Sequence, residues 1–134
     1  MLTPGHALAL VGAQYGSEGK GAVAGLLAYA GDATWVRVGG PNAGHTVVDA
    51  TGTPHVFCAI PCGAISHGNT LVVGAAAAID PVKIETEAAR HDVAVRVDRA
   101  AAVIDIRHDE GGVSGVLHAR IGSTGKGVGA CRAA

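Results

Sequence analysis

The stretch ALALVGAQYGSEGKG, residues 7–21, decides how this chain reads. It opens on an unbroken apolar run, residues 7–12, which predicts a short strand buried on both faces. Glycine-rich sequence follows to Gly21, and residues 22–30 (AVAGLLAYA) have the length and apolar content of a short helix. Strand, glycine loop, lysine and helix together make an anion cradle. Glycines let backbone N–H groups converge on phosphate oxygens, a helix N-terminus adds partial positive charge, and Lys20 adds a full one. The loop is not a Walker-type P-loop, which needs a glycine five residues ahead of the Gly-Lys pair and a hydroxyl after it. Here those positions hold Gln14 and Gly21. A generic glycine turn is the competing reading, but the density of Gly16, Gly19, Lys20 and Gly21 favours phosphate.

Working outward, residues 34–38 (TWVRV) predict a second strand, followed by a second glycine loop, residues 39–46 (GGPNAGHT). Both loops then sit at carboxyl ends of strands, where ligands bind in open α/β sheets. Asn42 offers an amide, His45 a proton that titrates near neutrality, and Thr46 a hydroxyl. On its own, His45 in such a loop is more often an ordinary surface residue. Val47 and Val48 can pair with residues 55–60 as a hairpin across a turn-rich segment. Residues 70–73 (TLVV) predict another buried strand. Residues 81–91 predict the clearest helix, with Pro81 in its first turn, Asp80 as N-cap, and Ile84, Ala88 and His91 on one stripe. Residues 93–97 and 101–106 read as strands, and residues 109–112 (DEGG) as a turn. A third glycine loop, residues 120–129, carries hydroxyls and Lys126, and is read as ending without a closing element. It is a second phosphate candidate, with a surface turn as the alternative.

Strands alternating with helices predict an α/β fold with a mostly parallel sheet and phosphate-binding loops, in one incomplete domain. The 134 residues suffice for one core. With 49% hydrophobic and 16% charged residues the composition is that of a folded chain. A formal net charge of −1 supplies no field for nucleic acid or an acidic membrane. No run approaches the roughly 20 apolar residues of a bilayer span, and no basic N-region precedes an apolar stretch. A cytoplasmic setting is expected. Cys58 and Cys62, spaced C-x3-C, read as reduced thiols, with a metal site as the alternative.

Three segments resemble one family. Residues 10–21 (LVGAQYGSEGKG) are similar to the adenylosuccinate synthetase signature G-x-Q-W-G-D-E-G-K-G. Residues 41–46 (PNAGHT) resemble its N-x-G-H-T loop, and residues 121–129 (IGSTGKGVG) its I-G-T-T-x-x-G-I-G-P loop. Residues 60–65 (IPCGAI) also fit a common L-P-S-G-I. Family members are several-fold longer, so residues 1–134 are expected to be the N-terminal part of one purine-nucleotide ligase domain, truncated at its C-terminal end.

The resemblance implies a two-step ligation. A purine nucleoside triphosphate (GTP or ATP) phosphorylates the 6-oxygen of a purine nucleoside monophosphate with Mg²⁺, and the amine of aspartate then displaces phosphate. It places Gly16, Ser17, Glu18, Gly19, Lys20, Gly21, Ala22, Gly44, His45 and Thr46 on the triphosphate. Asn42, Ala43 and Thr124 fall to the monophosphate, and His45 is the general acid. The Gly44 carbonyl and Ser17 fall to Mg²⁺. The family's general base is an Asp where this chain has Ser17, whose alkoxide is far too basic for that work unaided. Ser17 fits the phage branch of the family, which acts on dGMP in place of IMP and makes N6-succino-2-amino-2′-deoxyadenylate. It fits an inactive relative as well. Glu18 is the nearest alternative base. The full-length parent is expected to be a homodimer, and the 134-residue chain inactive alone. A non-catalytic nucleotide-binding module and a degraded remnant are the other readings.

Overall fold

The computed structural model describes residues 5–14, 16, 18–105 and 127–133. Its elements run α1 (Lys20–Ala28), β1 (Thr34–Arg37), β2 (His45–Val48), β3 (Pro54–Phe57), a 3-10 turn (Cys62–Ile65), β4 (Thr70–Val73), β5 (Ala78–Ile79), α2 (Pro81–His91), β6 (Val95–Val97), β7 (Ala102–Val103) and α3 (Val128–Ala133). β1, β4 and β6 form a parallel sheet in that order, with Thr34 opposite Thr70 and Leu71 opposite Val95. β5 and β7 form a second parallel pair beyond two tight turns. β2 and β3 form an antiparallel hairpin with His45 opposite Phe57. The fold is therefore α/β with a mostly parallel sheet.

The core lies where α1, the hairpin and the 3-10 turn meet β4, around fully buried Phe57, Ile60, Val47 and Val73. Burying each such side chain contributes about 1.5–3 kcal/mol, and cutting Ile60 back to alanine would cost about 2–5 kcal/mol through the cavity left behind. One polar side chain knits the elements together. Asn69 accepts from the Ala33 N–H at 3.0 Å and donates to the carbonyls of Ala28, Gly63 and Ser66 at 3.0–3.3 Å. It thereby fixes the end of α1, the start of β1 and the 3-10 turn to one point.

α2 forms as its sequence dictates. The Asp80 carboxylate accepts from the Lys83 N–H at 3.2 Å, Pro81 opens the helix, and Asp92 closes it in the left-handed conformation at φ 51°. Ile84 and Glu87 face inward.

Five expectations need correction. Residues 7–12 are not a buried strand: they run irregularly, with Leu8 60% and Val11 78% exposed. A strand is made by its ladder, and among the described residues none lies beside this run. α1 begins at Lys20 rather than residue 22, because Gly19 at φ 75° already turns the chain into the helix, and it ends at Ala28. β3 stops at Phe57 rather than residue 60, because the next three N–H groups bond to Glu87 instead of a strand. The chain also has a closing element, α3, after the third loop. The strand expected over 101–106 is confined to Ala102–Val103, and Ile106 lies outside the described residues. So do the 109–112 turn and most of the third loop.

Candidate functional site

The first loop is organised by Glu18. Its Oε1 accepts from the N–H groups of Gln14 (3.0 Å) and Gly16 (3.3 Å), and its Oε2 pairs with the Lys20 ammonium. The ammonium, helped by those N–H groups, holds the Glu18 carboxyl at about 2, well below the ordinary 4.5. Gly16 and Gly19 both adopt positive φ, 105° and 75°, so the loop bends without side-chain strain. Lys20 then opens α1, where phosphate would meet the helix N-terminus.

Gly21 joins this loop to the next one. It is buried, and a methyl group there would strike the backbone of Thr46 in β2. Helix and strand approach backbone to backbone, which packs the start of α1 against the strand that begins at His45. The half-buried His45 has its pKa lowered by burial first and then by the positive charges of Arg37 and Lys20. Its imidazole is therefore mainly neutral at pH 7, a hydrogen-bond donor at one ring nitrogen and a proton acceptor at the other, and an anion placed between it and those cations would favour its protonation.

The second loop is held from beneath. Arg37, the last residue of β1, is buried, and its Nη2 donates to the carbonyls of Gly40 and Ala43, each at 3.0 Å. Its pKa is lowered by burial, with Cys62, Glu87 and Cys58 opposing. Asn42 directs a buried Oδ1 that has no hydrogen-bond partner, an acceptor of the kind a ligand would satisfy. Gly44 is exposed beside Val56 and Cys58.

Of the residues expected at the site, Gly16, Glu18, Gly19, Lys20, Gly21 and Ala22 therefore line one loop and helix start, and Asn42, Ala43, Gly44, His45 and Thr46 the adjoining loop and strand. Ser17 and Thr124 lie outside the described residues. Three residues escaped the sequence reading: Arg37, Glu87 and Asn69. A lone arginine inside the apolar run TWVRV was the available signal for the first, since a buried charge demands partners.

Among the described residues no group of three or more His, Cys, Asp or Glu side chains is placed to hold a metal. Mg²⁺ is commonly bound by one or two protein oxygens plus substrate phosphates rather than a protein cage. The exposed backbone at Gly44 fits that mode as one such oxygen. Cys58, Cys62 and Cys131 are free thiols, and burial pushes Cys62 up to about 11. None of the described helices is long and apolar enough to cross a membrane.

The sequence profile of the adenylosuccinate synthetase family matches residues 9–134. Similar curated proteins include the adenylosuccinate synthetases of Mycobacterium leprae, 36% identical over 93% of this chain, and Syntrophobacter fumaroxidans, 33% identical over 91%. The chain spans 31% of the length of each. Among solved structures it resembles the fully ligated Plasmodium falciparum adenylosuccinate synthetase, with TM-score 0.78 and 28% identity over 91% of this chain and 31% of that one. It also resembles the cyanophage S-2L succinoaminodeoxyadenylate synthetase bound to dGMP and dATP. There the TM-score is 0.72, with 31% identity over 90% of this chain and 35% of that one.

Proposed function

The chain belongs to the adenylosuccinate synthetase family, and from that premise we propose that it carries the phosphate-binding and acid-catalytic loops of a purine-nucleotide ligase. The reaction joins aspartate to the 6-position of a 6-oxopurine monophosphate through a 6-phosphoryl intermediate, driven by GTP or ATP. The observation that carries this is the close approach of Gly21 to the Thr46 backbone, which packs the first loop's helix against the strand that begins at His45, near enough for the Lys20 charge to lower the His45 pKa. A triphosphate on the first loop would then lie within reach of the residue that protonates the other substrate.

The described residues have roles that their surroundings support. Lys20 and the backbone of residues 16–22 bind phosphate oxygens. Asn42, with its unpartnered acceptor, and Ala43 face the monophosphate, as does Thr124 by its place in the third motif. Neutral His45 gains affinity for a proton as negative charge collects near it, and can then share that proton with the 6-oxygen. Gly44 and Ser17 would hold Mg²⁺, which supplies neutralisation of phosphate charge when bound. Glu18, held at about 2, is a weak base while it is paired with Lys20. A triphosphate that draws the lysine away raises its basicity.

We read residues 1–134 as the N-terminal part of a single such domain. The share of the relatives' length it spans supports this, as does the exposure of Leu8, Leu10, Val11 and Val36. The test offers the complete protein IMP with GTP and dGMP with ATP, each with aspartate and Mg²⁺, and follows phosphate release. Turnover of either pair supports the ligase. Turnover of dGMP alone assigns Ser17 to the phage branch, and turnover of IMP alone removes that assignment. Triphosphate binding with no aspartate-dependent release from either pair overturns the ligase in favour of a nucleotide-binding module.

A further inference from the structure

Arg37 occupies a position that the phosphate loops do not account for. It is a charged side chain only 9% exposed, at the end of a strand in the central sheet. Removing a guanidinium from water this far is costly unless its donors are used. One nitrogen is used twice. Nη2 bonds the carbonyls of residue 40 and residue 43, so a single atom staples both ends of the Gly40-Pro41-Asn42-Ala43 turn. The third side of that turn is packed: a side chain at Gly40 would lie 3.2 Å from both methyl carbons of Val128 in α3. Asn42 sits between the two stapled carbonyls, and its Oδ1 is buried without a partner. Gly44 and His45 follow directly.

Behind Arg37 stands a second buried charge. Glu87 of α2 is 8% exposed and accepts N–H bonds from Cys58, Ala59 and Ile60 at 2.9–3.2 Å. Its charge favours the guanidinium from a distance, without a direct ion pair among the described contacts.

We propose that Arg37 is a positioning residue. By bridging the Gly40 and Ala43 carbonyls it sets the loop that presents Asn42 to the monophosphate and His45 to the reacting oxygen. The fork geometry matters here. Nη2 sits one bond farther from the backbone than a lysine Nζ, on a rigid planar group, so a lysine keeps the charge and does not reproduce the bridge. Misplacing a reacting group by about 1 Å can cost on the order of 100-fold in rate. The first phosphate loop has its own anchor in Glu18 and touches the second loop's strand only where Gly21 meets Thr46.

This rests on the ligase reading for turnover only, and the test separates the two. Arg37→Lys and Arg37→Met are made in the complete protein, with Glu87→Gln as a third variant in case the methionine variant does not fold. Turnover, binding of IMP, dGMP and Mg·ATP by calorimetry, and amide hydrogen exchange of residues 40–45 are measured. The expected result is a kcat lower by about 10–100-fold in both Arg37 variants, with KM for the triphosphate changed by less than about threefold. Monophosphate binding weakens by more than about tenfold, and exchange at residues 42–45 accelerates. Wild-type kcat and exchange in Arg37→Lys overturn the proposal, because charge alone would then suffice. If the wild type shows no turnover, the ligase reading fails instead, and exchange at residues 42–45 decides this proposal: faster in Arg37→Lys supports it, unchanged overturns it.

Discussion

Replacing Glu87 by alanine tests the polar anchor on which the hairpin and the following turn hang. In the native fold the carboxylate accepts from Cys58 N–H at 3.0 and 3.2 Å, Ala59 N–H at 2.9 Å and Ile60 N–H at 3.1 Å. Ala59 is 6% exposed and Ile60 fully buried, so neither amide can turn to water when the acceptor is removed. Each orphaned N–H costs about 1–3 kcal/mol. Cys58 is only half-buried and adds less. The sum is about 4 kcal/mol, a large part of the roughly 5–15 kcal/mol that holds an ordinary domain together. Alanine is the best helix former, so α2 itself loses nothing by the change. In a chain of this size that loss lowers Tm by roughly 10–15 °C. Glu87→Gln keeps one acceptor oxygen and loses about half as much. Urea denaturation followed by circular dichroism measures both. An alanine variant within about 1 kcal/mol of wild type would refute the reasoning, since the three N–H groups would then have found other partners.

Other perturbations probe the site. Gly21→Ala improves helix propensity by about 1 kcal/mol, yet the new methyl meets the Thr46 backbone, which cannot yield as a side chain could. The expected outcome is a net loss of about 1–3 kcal/mol in thermal unfolding and at least tenfold weaker Mg·ATP binding. Lys20→Met removes the main cause of the low Glu18 pKa, which should climb from about 2 back toward 4.5 in a carboxyl NMR titration. Because the folded value lies below the unfolded one, that pairing contributes stability above about pH 4.5 that drains away as pH falls toward 2, and the methionine variant loses this acid dependence. His45 behaves in the opposite sense on binding. Its pKa is lowered in the free protein, and a triphosphate nearby raises it, so binding near pH 6 should take up a proton. Calorimetry in buffers of different ionisation enthalpy reads the uptake, and His45→Asn should abolish it.

Some of this architecture was open to the sequence for local reasons. Residues 81–91 form the expected helix because the proline, the Asp80 cap and the apolar stripe all act within the segment itself. β4 and the hairpin likewise follow from apolar runs and turn residues close by. What the sequence did not show depends on distant partners. Glu87 ends β3 from 29 residues away, and Asn69 ties Ala33 from 36 away, and no local pattern announces either. The run at residues 7–12 has the apolar character of a strand, but strand formation needs a ladder from elsewhere. The site divides in the same way. Its glycines, Lys20 and His45 were marked by dense loop motifs. Arg37 was hidden because its function is carried by main-chain carbonyls, whose positions only the fold reveals.

The proposed ligase reaction passes a phosphoryl group from a triphosphate on the Lys20 loop onto the 6-oxygen of a purine monophosphate that faces Asn42 and His45. Labelling that oxygen with ¹⁸O in IMP and in dGMP, and weighing the phosphate released by the complete protein with triphosphate, Mg²⁺ and aspartate, tests it directly. Displacement by aspartate carries the 6-oxygen away with the phosphate, so the account predicts one ¹⁸O in each phosphate formed from the substrate used, and no release from His45→Asn. Phosphate that carries oxygen only from the triphosphate and water would contradict it, showing simple hydrolysis.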